Sequence, residues 1–302
     1  MATRKKLATM PKKSTTPGDL SERAMLVKLK ISCWGAKTND NDVAQEVAQM
    51  KHSDAELGKF TKSLLKSENR DSFRKAAREC RRMHRWFTLP WDEGVGLLPS
   101  KVYFKYVEAI TKKRQEAENF IDAFVKEYEE QWNAGMKDYR KALGSMFDAG
   151  DYPEPKRVRT KFGIQIRTFP IQDPNDFRVK MSSEVSEGLK AQMLDNFKTD
   201  LQDAMRMPVL RLHECLAKVK AKLDEPDAIF RDSLIENVKE LVEVLPALNV
   251  LEDPEIAKLI SDTDKEICSV SDIGALRKDP KYRKAVAKSA DSILKKMKGY
   301  VS

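Results

Sequence analysis

The first regular pattern in the chain is an alternation. In the run MLVKLKISCW, Val27, Leu29, Ile31 and Cys33 fall on one side, and Lys28, Lys30 and Ser32 on the other. A period of two predicts a half-buried β-strand. The pattern then turns helical. The run KTNDND supplies turn and N-cap residues before a short helix expected from about residue 42. Ser53 to Glu56 has the spacing of a capping box, which predicts a second helix start. Between Glu68 and Phe87, the residues Phe73, Ala77, Cys80, His84 and Phe87 recur every three or four positions. At about 100° per residue they form one apolar stripe, with His84 among the core residues. Pro90 in TLPWDEG cannot continue that helix.

Two long helical patterns follow. After Pro99, placed to start an element, no proline occurs until Pro153. Val107, Ile110, Arg114, Ala117, Ile121, Phe124, Tyr128 and Gln131 alternate by three and four, close to a heptad seam broken by Arg114 and Gln131. An interruption is expected near Gly135. The second pattern, about residues 184–223, is marked by Val185, Leu189, Met193, Phe197, Leu201, Met205, Leu212, Leu216, Val219 and Leu223, with a kink expected at Pro208. Two consecutive helices of similar length most simply pair as an antiparallel hairpin. The segment between them carries four prolines. Within it Phe162, Ile164, Ile166 and Thr168 share a side, and FRVKM could be a return strand. A β-hairpin is therefore expected over about residues 148–182, at the tip of the helix pair or packed back on the first strand. Helices over about 227–245, 254–268 and 280–298 close the chain. The predicted fold is mainly α with a small β component, α+β in class. Its expected regions are a disordered basic arm (1–18), a small α/β region (19–99), the helical hairpin with its β insertion (100–224) and a C-terminal helical region (225–302).

Composition sharpens this picture. Of 302 residues, 41% are hydrophobic and 34% charged, and there are only 12 glycines and 13 prolines. That suits long, heavily solvated helices better than a turn-rich β-sandwich. The formal net charge of +9 favours contact with nucleic acid or anionic surfaces through long-range fields. Four cysteines lie far apart with no C-x-x-C pair, against both a zinc site and a disulfide framework. No apolar run nears the roughly 18 residues of a membrane span. The first residues, MATRKKLATMPKKSTTPGD, are basic without an apolar core, so no signal peptide is expected and the cytoplasm, a host's if the protein is viral, is the expected compartment.

No phosphate-cradling, dinucleotide or nucleophile-elbow pattern occurs, and GVGLLP has the wrong spacing for one. His213 and Cys215 in HEC sit too close in sequence to face one metal from a helix. Asp92 and Glu93 could form an acid/base pair, but carboxylates beside a glycine after a proline read better as turn formers. No enzyme, cofactor or metal is expected. The basic residues are stronger as a set. Between Arg70 and Phe87, Arg70, Arg74, Arg78, Arg81, Arg82 and Arg85, with Lys75, stand against only Asp71 and Glu79. Lys156, Arg157, Arg159, Lys161 and Arg167 surround Phe162. Cations can hold phosphates while Trp86, Trp91 and Phe162 stack on unpaired bases. The competing reading pairs the arginines with acids and puts the three aromatics in the core. No sequence-reading DNA or RNA motif is present, so binding through the backbone is expected.

The succession of the strand VKLKISCW, a cationic helix, TLPWDEGVGLLP and a long helix resembles uncharacterised proteins that recur in phage genomes and mobile elements. In that family a W-x-G after the first strand and a short Gly/Pro loop before a long helix are typical, and CWGA approximates the first of these. The likeness covers roughly residues 27–180. It lends no catalytic residues. It implies a viral setting, and with it single-stranded DNA coating, transcription support or host take-over. The expectation is a sequence-independent single-stranded DNA-binding protein, a homo-oligomer through its long helices, supporting replication, recombination or early transcription. The rival is a helical interaction or scaffold protein that binds a host factor or an ATPase partner.

Overall fold

The computed structural model describes residues 15–174, 183–225, 231–270 and 272–301. It is mainly α with a small β component. Helix α1 (Pro17–Ser21) starts at a capping box formed by Thr16 and Asp19. Strand β1 (Ala24–Ser32) follows with the expected alternation: Val27 is buried, whereas Lys28, Lys30 and Ser32 are exposed. Strand β2 (Lys37–Asn39) pairs with β3 (Thr61–Ser63), and between them lies α2 (Asn41–Lys51), capped by Asp40. The second helix expected from Ser53 shrinks to one 3-10 turn, Ala55–Leu57, capped by Asp54. A capping signal opens a turn, but no apolar stripe follows to bury a helix there.

Helix α3 (Glu68–Phe87) matches its predicted bounds. The run after it is a hairpin, which the pattern did not reveal. Strands β4 (Leu89–Asp92) and β5 (Val95–Pro99) pair around a Glu93–Gly94 turn, with Gly94 at φ 71°. Pro99 therefore ends a strand. Gly96 through Pro99 are all buried, so β5 reads as a continuous apolar run without alternation. The strand order is β4-β5-β1-β6, where β6 (Gly163–Phe169) carries the alternating GIQIRTF. Pro90 fits because β4 is an edge. Of the two placements expected for GIQIRTF, the one beside the first strand is the one found. The return strand FRVKM lies outside the described residues.

The first long helix is α4 (Tyr103–Asn133), which stops where Gly135 and Met136 take positive φ, followed by α5 (Lys137–Leu143). The linker holds a short helix, α6 (Pro155–Thr160), where the sequence suggested a ribbon. The second long helix, α7 (Ser183–Asp224), runs unbroken through Pro208. The remaining helices are α8 (Ser233–Leu248), α9 (Pro254–Thr263) with a π-helical turn to Cys268, α10 (Ile273–Lys278), α11 (Pro280–Lys296) and α12 (Lys298–Val301).

The chain divides into two compact units, and they interleave in sequence. The first comprises Met1–Lys28, His84–Tyr106 and Arg167–Ser302, the second Leu29–Met83 and Val107–Ile166. Of the two long helices, α7 lies in the first unit, and α4 lies in the second from Val107 onward. Within the first unit α7 packs on α8, α11, α12 and β4. Leu201, Val209, Leu212, Leu216 and Val219 of α7 are buried there with Ile235, Val238, Leu245 and Ile293. Each such side chain contributes about 1.5–3 kcal/mol of burial. In the second unit the core is aromatic. Phe73 meets Phe162 edge-on at 5.3 Å, Phe162 meets Phe124 at 5.4 Å, and Trp34 meets Tyr128 at 5.6 Å.

Candidate nucleic-acid interface

Helix α3 separates its two chemistries by spacing alone. Phe73, Ala76, Ala77, Cys80 and Phe87 are buried, and His84 is half-buried beside them. Arg74, Lys75, Arg78, Arg81, Arg82 and Arg85 are all exposed. At about 100° per residue these six cations span roughly 120° of the helix circumference. Arg82 bonds Glu79 at 2.9 Å, and Arg74 lies 4.0 Å from Asp71. Lys75, Arg78, Arg81 and Arg85 form no ion pair among the described residues. A run of fixed positive charge therefore faces water, held by a helix whose opposite side is packed.

The C-terminal end of this helix is secured inside the first unit. The guanidinium of Arg211 donates to the carbonyls of Trp86 at 3.1 Å and Thr88 at 2.7 Å. Carbonyls in the last turn of a helix lack intrahelical donors; Arg211 supplies one to Trp86 and another to Thr88, just past the helix end. Burial lowers its pKa to about 10, with Glu214 acting in the opposite direction, so it stays charged at neutral pH. His84 Nδ1 shares a 3.0 Å hydrogen bond with the Tyr106 hydroxyl. Nothing in the sequence pointed to Arg211, because its partners are backbone atoms more than a hundred residues away.

The other expected site residues divide. Arg70 is buried; it donates to the Gly35 carbonyl at 3.3 Å and lies 3.7 Å from Asp71. It is part of the packed end of α3 and cannot face a phosphate. Arg159 is half-buried and bonds Glu118 at 2.6 Å, with Asp122 at 3.3 Å. Lys156, Arg157 and Lys161 are exposed on or beside α6, and Arg167 is exposed on β6. Phe162 is buried between Phe73 and Phe124, so it is core and has no face for a base. Trp86 and Trp91 are partly buried against the core of the first unit, Trp91 at 5.7 Å from Phe197. Trp91 opens onto a cavity of about 400 Å³.

No group of three or more His, Cys, Asp or Glu side chains among the described residues could hold a metal ion. The four cysteines are free thiols. Asp92 ends β4 and Glu93 lies in the turn that follows; the Asp92 carboxylate accepts from the Glu93 N–H at 2.7 Å. Among the described residues no helix is long and apolar enough to cross a membrane. Comparison with known proteins returns no match: no family model, no curated protein and no solved structure is similar to this chain.

Proposed function

We propose that the protein binds nucleic acid, single-stranded DNA included, through the sugar–phosphate backbone and without reading sequence. One observation carries this reading: six exposed cations on one side of α3, four of them without an ion-pair partner among the described residues. Guanidinium groups free of carboxylates are the groups that neutralise phosphates and release counterions. The viral setting implied by the resemblance, with a role in replication, recombination or early transcription, belongs to the same proposal, as does self-association. No catalytic step is part of it.

The test is a salt titration of oligonucleotide binding. Changing Arg78, Arg81 and Arg85 together to Gln removes three cations from exposed helical positions, where Gln is well tolerated. The variant should melt like the parent. On single strands, the log–log salt dependence should flatten by about 2. A parent slope near zero, or an unchanged slope in the variant, would remove the basis of the proposal.

The rival reading has its own observation. Val47 and Met50 on α2 are apolar and exposed, at 47% and 77%. If the parent shows no salt-dependent binding to any oligonucleotide, a protein-interaction role takes precedence.

A further inference from the structure

The first unit contains a cavity of about 400 Å³ that is distinct in chemistry from the α3 cations. Trp91, Val95, Met193 and Phe197 give it apolar walls, and Asp92 and Asp200 stand among the lining residues. The local backbone is built to present Trp91. The β4–β5 register runs Pro90↔Gly96 and then Asp92↔Val95, which leaves Trp91 as the extra residue of a bulge. Bulges re-aim a side chain out of the strand alternation. Lys28 also lines the cavity, so two carboxylates stand against one ammonium in a chain whose net charge is +9.

We infer that this cavity receives a cationic side chain, guanidinium or ammonium, from a partner polypeptide. The aliphatic stem would lie against Met193 and Phe197, the charged head over Trp91 and beside the two carboxylates. A cation over a tryptophan face and next to a carboxylate is attracted by both. A phosphate would meet two negative charges in the same place. The surroundings of Asp200 agree with this. Burial first, then Asp92 and Asp203, hold its carboxyl above the ordinary aspartate range. An incoming cation offsets that repulsion. The inference does not depend on the nucleic-acid reading, and either can fail alone.

The experiment uses the full chain and the indole 1H–15N resonance of Trp91, assigned by its loss in Trp91→Phe. Three probes are titrated: N-acetyl-arginine methylamide, its citrulline counterpart, which has nearly the same shape and no charge, and adenosine. The arginine probe should give a saturating shift and the citrulline probe none over the same range. In Asp92→Asn/Asp200→Asn the arginine affinity should fall by about tenfold or more. Equal responses to the arginine and citrulline probes, no saturation with either, or an unchanged affinity in the double variant would overturn the inference. A saturating shift from adenosine without one from arginine would overturn it too, in favour of a base-binding site. If the double variant does not fold, the comparison of the arginine and citrulline probes on the parent decides.

Discussion

Two ionisable side chains, one buried and one half-buried, show how the surroundings of a residue choose its charge. Lys62 is buried in the second unit, with Asp40 at 2.9 Å, Asp151 at 3.0 Å and the Met146 carbonyl at 2.7 Å from its ammonium. Burial alone would lower its pKa, but the two carboxylates outweigh it and the pKa is raised. Among the described residues no carboxylate acts on His84. Burial, aided by Arg85, pushes its pKa down from 6.5 to about 4. The folded protein therefore keeps His84 neutral where the unfolded chain would protonate it. Between about pH 6.5 and pH 4 the unfolded state binds more protons, so stability falls as the pH falls through that window. The full span is worth about 3 kcal/mol at most. His84→Asn does not titrate and can still bond Tyr106. Comparing melts at pH 7 and pH 4.5, the parent should lose more stability than the variant. Parallel pH curves for the two proteins would show that His84 is not the group responsible.

At the scale of elements, the end of α3 and the hairpin that follows are fitted to each other within the first unit. The Thr88 hydroxyl donates to the His84 carbonyl at 2.7 Å, and Thr88 faces Gly96 of β5. A Cβ at Gly96 would stand 2.7 Å from Thr88 Oγ1 and 2.8 Å from Thr88 Cβ. Those distances require a shift of packed atoms. Gly96→Ala should therefore cost about 1–3 kcal/mol, seen as a lower melting temperature. Gly58 has no atom within 4 Å of the same construction, so Gly58→Ala should melt like the parent. Equal melting of the two variants would deny the close approach. This hairpin also marks where the sequence stopped being legible. The 3.6-residue stripe of α3 gave its bounds and its buried face, because periodicity records burial directly. In contrast, β5 is buried along most of its length, and β4 contains Pro90 and an extra residue at Trp91. β5 therefore shows no period of two, and the alternation of β4 covers only four residues, one of them a proline, so LPWD and VGLLP read as a loop.

For the whole molecule, the consequential difference between sequence and structure is where the aromatics went. Clustering in sequence put Phe162 among cations, yet chain folding placed it between Phe73 and Phe124, contacts that no local pattern encodes. The cations of α3 stayed outside because helical periodicity already separated them from Phe73 and Cys80. The expected preference for single strands rested on stacking, which is worth about 1–3 kcal/mol per base. With Phe162 buried and Trp86 packed against a core, only Trp91 of the three aromatics lines a described cavity, and the proposed binding rests mainly on phosphate contacts. Binding should then weaken steeply with salt on both forms of DNA. If about five phosphates are neutralised, the log–log slopes should be near −3.5 on single strands and −4.5 on duplex. The affinities for the two forms at one salt concentration should agree within about tenfold, and scrambling the base sequence should leave both unchanged. Fluorescence anisotropy with labelled oligonucleotides at several salt concentrations measures all of these quantities. A preference for single strands beyond about a hundredfold would mean that at least one base is stacked, and Trp91→Ala would then identify whether the bulge residue supplies the platform.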